Sequence, residues 1–478
     1  MGNRMHVTTP PLPSLNNDTT PLPTRALQVD AASGKKPKIV VLMSDWQYLE
    51  RSLHRLVTAW ARHFCEWEDK RAVCRHVWEQ SECVRRLRDR LIEFPGTTGN
   101  LERPVSGRLE ELANTVLLAP SHEDAVDGVY QLLTGALVRS YLQYVEHAHP
   151  VHDAPTIAML QEIVRIKEGQ RLWLRDYRRR RPHTTHAAYS AAVETTLAAC
   201  GEFGETLSIE GAPAQPVGVN TRFRLPSNAG KPAGSERKYD FMTPIEADFT
   251  DSIEARRLFW CYGYLLEQNL ADDQMRWLWD ASDLPWEFIQ DVSRHLWDES
   301  RHGDSGHSRL LDFGLTIQDV GFSSYGTAPE EAPGIAKPMS PEDLYEAVFF
   351  IGMCAETGHF PVKHEAYADF KAGGDLESAE MMLFDIIDET AHVQYAHRWL
   401  PVLAERAGRN AEDFKERGQR ERQRLQEAAT QRHAERRVMR RDSENPDYAF
   451  YQKLLAIMRD KQPLSNASTC PPRSFKPM

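Results

Sequence analysis

The chain has 478 residues, a net charge of −11 and an isoelectric point near 5.9, which argues against the basic footprint of a nucleic-acid binder. Seven cysteines without a CxxC pair exclude a disulfide framework and a cysteine zinc site, and point to a reducing compartment. No stretch reaches the ~18 apolar residues of a membrane helix and the N-terminus carries no apolar signal run, so a soluble, cytoplasmic protein with no membrane partner is expected.

Residues 1–40 are rich in Pro, Thr and Asn and are expected to be a disordered tail. Residues 41–182 follow, with apolar positions at three- and four-residue steps. They predict helices across Ser44 to Glu93, broken by a turn near "CEWEDK", then over Glu123–His147 and Pro155–Arg180. Residues 183–250 are a long connector that opens on a helical stretch, "HAAYSAAVETTLAAC", and turns Gly/Pro/Ser-rich. Residues 251–408 predict a second set of four helices, near Asp251–Asp280, Pro285–Phe313, Pro341–Lys371 and Leu376–Arg406. The aperiodic stretch from Gly314 to Ser340 is long enough to cross the length of a bundle. Residues 409–478 are a charged helix, solvated or in contact with another copy, and a tail. The fold class expected is therefore all-α, with two four-helix bundles in tandem and a partly irregular connector.

One phrase is written twice, as Asp298-Glu299-Ser300-Arg301-His302 and as Asp388-Glu389-Thr390-Ala391-His392. On a helix, positions i and i+3 share a face, so each copy offers a carboxylate beside an imidazole. Glu-x-x-His alone is a weak signal, but the spacing strengthens it. Glu267 lies 32 residues before Glu299, and Glu356 lies 33 before Glu389, each inside an apolar helical run. About 14 residues down one helix and 14 up the next return the chain to the same height, ~21 Å each way. Two such hairpins place Glu267, Glu299, His302, Glu356, Glu389 and His392 at one level of a core. Four buried carboxylates repel one another and each costs several kcal/mol unpaired. Two divalent cations balance them, and mixed Glu/His ligation suits iron or manganese more than zinc. Iron is expected first, with manganese or a mixed Mn/Fe pair as alternatives. Asp298 and Asp388 either accept the second N–H of a ligating imidazole across the bundle or are simple polar neighbours.

On these residues the stretch from about 251 to 406 resembles the ferritin-like superfamily, in its rubrerythrin-like and di-iron carboxylate oxidase branches. The resemblance implies a metal pair bridged by Glu299 and Glu389, with Glu267 and Glu356 as outer ligands. It also implies chemistry with O₂ or peroxide, or iron handling. His359, one turn after Glu356, departs from the six-residue pattern. It reads as a seventh ligand, a hydrogen-bond donor beside the site, or a core histidine.

The first helical set reads as an eroded copy, with unrelated helices as the alternative. "HVWEQSEC" aligns with "HLWDESRH", placing Gln80 at Glu299 and Cys83 at His302. "IVRIKEGQR" aligns with "IIDETAH", which retains Glu168 and puts Arg171 at His392. The function expected is an oxidase or oxygenase acting with O₂ on a small-molecule substrate, with an electron donor as partner and a homo-oligomer as one assembly. The alternative is a non-catalytic metal-binding structural or interaction protein.

Overall fold

The computed structural model describes residues 38–94, 101, 107–201, 203, 223–237, 239–249, 252–322, 336–409, 414–438 and 445–461. The tail expected over 1–40 falls outside them up to residue 37, as do the glycine-rich part of the connector at 204–222 and the last stretch, 462–478. Helix α1, Lys38–Ala61, already includes the last three residues assigned to that tail.

Among the described residues the protein is all-helical, with no strand. After α1 come α2 (Trp67–Ile92), α3 (Gly107–Leu117), α4 (His122–Val126), α5 (Thr134–His147), α6 (Ala154–Arg180) and α7 (Ala187–Ala199). A wide π-turn, Asp127–Leu133, joins α4 to α5. The second half has α8 (Met242–Asp248), α9 (Ile253–Asp280), α10 (Trp286–Asp312), α11 (Ile317–Val320), α12 (Pro341–Phe349), α13 (Thr357–Ala372) and α14 (Leu376–Arg406). Another π-turn, Phe350–Glu356, joins α12 to α13. The chain closes with α15 (Phe414–Val438) and α16 (Pro446–Lys461). No helix among the described residues is long and apolar enough to cross a membrane.

The starts of the site-bearing helices are written locally. Ser252 caps α9, accepting from the Ala255 N–H. Ser340 and Asp343 form a reciprocal capping box on α12, with Pro341 at its first position. Asp375 caps α14 by accepting from Ser378. α9 lies along α10, α10 along α14, and α12 and α13 along α14. Gly306 sets the closeness of the first pair, since a Cβ there would meet the Cys261 carbonyl at 2.4 Å and the Leu265 nitrogen at 2.6 Å. Gly352 does the same for the π-turn, where a Cβ would meet the Ala396 Cβ at 2.2 Å.

One apolar cluster draws on both halves, from Val40 to Leu225 and from Ala271 to Ala404, and a second gathers Trp67, Phe241, the first part of α9, the end of α10 and α16. α2 packs on α10, and Trp78 stacks on Trp297 with ring centroids 4.3 Å apart. Lys70 reaches Asp272 at 2.8 Å in a buried ion pair, and His54 meets Ser293 at 2.8 Å.

The helical stretch that opens the connector is α7, whose Tyr189 and Val193 are buried where the helix packs on α3. Two expectations for residues 409–478 need correction. The charged helix α15 is docked on its own chain: Arg417 reaches Glu346 at 2.7 Å and lies over the Phe349 ring. Its Gly418 lets it approach the π-turn closely, 3.1 Å from a Cβ position to the Met353 carbonyl. Past it, α16 buries Tyr451, Leu454, Leu455 and Met458 where a tail was expected. Of the first three cysteines, Cys74 and Cys83 are buried in α2 and Cys65 is exposed just before it.

Candidate metal centre

All six residues singled out by spacing converge, and two more join them. The first group is His295, Glu299, Glu356 and His392, all buried. The second is Glu267, His302, Asp385 and Glu389. In each group every residue can offer one atom such that these atoms lie within 4.8 Å of one another. The groups adjoin: His302 Nδ1 stands 3.8 Å from Glu299 Oε2.

α10 supplies His295, Glu299 and His302, at steps of four and three residues, so all three share one face. α14 supplies Asp385, Glu389 and His392 at the same steps. The repeated phrase is therefore one turn longer than Glu-x-x-His. That extra turn carries the two residues the spacing argument missed, and the four-residue step was visible in both copies. Glu267 comes from α9. Glu356 ends the π-turn, whose extra residue changes the phase of everything after it.

Burial is nearly complete. Glu299, Glu356, Glu389, His302 and His392 are each at most 4% exposed. Glu267 is partly open, its side chain 17% exposed, because it lines a cavity. Yet the polar atoms do not satisfy one another. Glu267 Oε2, both Glu356 oxygens, Glu389 Oε2, His302 Nδ1 and His392 Nδ1 are buried without a hydrogen-bond partner. Several are close but misaligned: His302 Nδ1 lies 3.1 Å from Glu267 Oε2, and His392 Nδ1 3.4 Å from Glu356 Oε1. Lone pairs aimed past each other at a shared space suit a cation, since an unsatisfied buried polar group otherwise costs about 1–3 kcal/mol.

The far sides of both imidazoles are held. His392 Nε2 meets Asp298 Oδ2 at 3.3 Å, and His302 Nε2 meets Asp388 Oδ2 at 3.3 Å. Each aspartate thus serves the histidine of the opposite helix. Arg301 links them, at 2.5 Å from Asp298 and 2.6 Å from Asp388, and Arg294 adds two contacts of 2.9 Å to Asp298. Burial opposes ionisation of Asp298, but His392, Arg294 and Arg301 outweigh it and hold this carboxyl well below the usual range.

The two groups differ in charge. His295 lies 2.9 Å from both Glu299 and Glu356. Burial alone would lower His295, but those carboxylates raise it to about 10, and its charge in turn brings Glu356 down to about 2 against the effect of burial. In the second group burial pushes Glu267 up to about 7, only partly offset by His302 and Lys363. Glu389 is raised well above its ordinary value by burial, with Asp385, Glu356 and Glu267 adding repulsion. Lys363, missed in the sequence, is buried here and contacts Asp385 at 2.7 Å and Glu389 at 2.8 Å. It lies seven residues after Glu356, two turns along the same face.

His359 is in neither group; it lines the cavity beside Glu356, and burial lowers its imidazole to about 4. The second imidazole of the first group is His295, from α10. The cavity, about 960 Å³, has Glu267, Glu299, Glu356 and Glu389 in its wall, with Leu270, Trp277 and Phe350 among its apolar lining.

Among the described residues the first half holds no such pair of buried groups; Asp124 gathers His183 and His186, both of them exposed. Lys167 and Gln170 are the inward residues of α6, while Glu168 pairs with Arg171 at the surface, so the expected register is off by one. The Lys167 ammonium sits 2.5 Å from Glu50 and 2.5 Å from Gln80, and the Tyr141 hydroxyl donates to Glu50 at 2.7 Å. Cys83 is buried among them.

No family model, curated protein or solved structure matches this chain, so the reading of the centre rests on its own geometry.

Proposed function

We propose that the protein is a dimetal-carboxylate oxidase or oxygenase acting with O₂ on a small organic substrate. The observation that carries this reading is the set of buried, unpartnered carboxylate and imidazole atoms on α9, α10, the π-turn and α14, all facing a common space. Glu267, Glu299, His302, Glu356, Glu389 and His392 would hold two ions, with His295 and Asp385 completing the two sets. Five carboxylates carry five negative charges, Lys363 returns one, and two divalent ions return four, leaving the centre neutral. Carboxylate-rich ligation favours iron or manganese. Such ions, when bound and reduced, supply the electrons for O₂ activation, so an external electron donor is part of the proposal.

The chain's own residues do the rest. Asp298 and Asp388 fix the imidazole rings, which keeps the ligand atoms aimed inward. The cavity brings a substrate against the carboxylate wall, and its volume falls in the range of small-molecule pockets. Trp277, Phe350 and Leu270 supply an apolar surface that keeps bulk water from the reacting atoms. A coordinatively closed, purely structural site would have no such opening, which favours the catalytic reading. The ferritin-like arrangement belongs to the same proposal: α9, α10, α12–α13 and α14 form the metal-binding bundle, and α1, α2, α4–α5 and α6 its metal-free copy.

The test is elemental analysis of the purified protein with Glu299→Ala, paired with O₂ consumption. Two iron or manganese ions per chain in wild type, fewer than one in the variant, and O₂ uptake on adding Fe(II) that the variant lacks would support the reading. Metal-free wild type that cannot be loaded would end it.

A further inference from the structure

The two halves of the centre are chemically unequal. One has two imidazoles and two carboxylates; the other has one imidazole and three carboxylates. Among the described residues, Glu299 and Glu356 pair only with histidines. Two of the three carboxylates of the other half, Asp385 and Glu389, are already served by a cation, the buried ammonium of Lys363. It holds Glu389 Oε1, while Glu389 Oε2 has no partner. Bridging of two ions by both oxygens of Glu389 would bring a second cation against Oε1, where the Lys363 ammonium already stands.

Resting on the dimetal reading above, we propose that Lys363 is a resident cation of the acid-rich half, and that it makes the protein take up its two ions in order. The first enters at His295, Glu299, Glu356 and His392. The second enters at Glu267, His302, Asp385 and Glu389 only when Lys363 releases Glu389.

Two further observations support the arrangement. Lys363 need not leave the core, because Asp385 offers it a second anchor: Asp385 Oδ2 stands 2.7 Å from Nζ and also accepts from the Tyr264 hydroxyl at 2.9 Å. Three carboxylates, one divalent ion and one retained ammonium are then in balance. The same chain uses this device at a place that none of the candidate metal groups among the described residues includes. In the first half the Lys167 ammonium is the cation beside buried Glu50, with the Tyr141 hydroxyl donating to the same carboxylate and Gln80 as a neutral neighbour.

The experiment is a titration of the chelator-stripped full chain with Mn(II), followed by calorimetry and by electron paramagnetic resonance. Wild type should bind in two steps separated by about tenfold or more in affinity, the scale on which residues supporting a metal site act. Below one equivalent the spectrum should be that of isolated Mn(II), with spin-coupled pairs appearing only toward the second equivalent. Lys363→Met should tighten the second step and bring coupled pairs in early, and Lys363→Gln should follow it. Wild type that fills in one step with coupled pairs from the first addition overturns the inference, whether or not the variants fold. Folded variants that leave the separation unchanged also overturn it. Failure of wild type to bind any Mn(II) or Fe(II) overturns the dimetal reading itself, a result distinct from simultaneous filling.

Discussion

Asp298 and Asp388 each precede a candidate ligand glutamate by one residue, and each accepts from the imidazole of the opposite helix. A neutral amide there keeps the size but loses the charge that orients the ring and anchors Arg301. Asp298→Asn is therefore expected to weaken metal retention by about 10- to 100-fold, read by competition with a chelator, while Asp319→Asn in the cap of α11, away from the centre, leaves it unchanged. A second residue prediction concerns pH. His54 is buried between α1 and α10, and burial with nearby Arg55 and Arg51 lowers it to about 3. The folded state then binds fewer protons than the unfolded state between pH 3 and 6.5. Its contribution to stability is full above the unfolded value near 6.5 and falls with acidification at up to about 1.4 kcal/mol per pH unit. His54→Gln keeps a polar partner for Ser293 and removes the proton site. The fall in melting temperature between pH 7 and pH 5 should be smaller in the variant; an unchanged fall would show that His54 does not carry it.

At the scale of elements, the π-turn Phe350–Glu356 is the device that aims Glu356 and, two turns on, Lys363. Removing one residue from it, for example Ile351, would restore ordinary helical phase and turn the following residues by about 100° relative to the preceding ones. Loss of most bound metal with little change in far-ultraviolet circular dichroism is expected, and retained metal would place the phasing elsewhere. The hairpin of α9 and α10 is the other half of the geometry. Gly306→Ala places a methyl against the Cys261 carbonyl, where backbone must yield. Destabilisation of about 1–3 kcal/mol by denaturant unfolding is expected, together with weaker metal binding as Glu267 moves from His302.

For the whole molecule, the first half is a supporting layer pressed, through α1, α2, α9 and α10, onto the half that carries the candidate centre. Its centre is a lysine-neutralised carboxylate, and both Lys167 and Glu50 are fully buried. Lys167→Met should cost about 3–5 kcal/mol by leaving Glu50 uncompensated, and adding Glu50→Gln should recover much of it. A double variant no more stable than the single one would contradict this. The helices of the second half were legible to within a few residues, because apolar period and local caps such as Ser340 and Asp343 act over a single turn. The six convergent side chains were legible too, since equal steps along two hairpins return to equal heights. His295 and Asp385 sat in plain view at a four-residue step but needed a partner helix to show that this face turns inward. The inward choice of Lys167 over Glu168 depends on a rotation of α6 about its axis, which a one-residue difference in sequence does not reveal. Helical class, ligand spacing and the charge problem of buried glutamates were thus decided by the order of residues alone, being consequences of helix period and electrostatics. Which atoms stay unsatisfied, the π-turn's phase, the cavity at the carboxylate wall and the ammonium of Lys363 beside Glu389 were decided only when separate helices packed together, because each is a relation between side chains far apart in the chain.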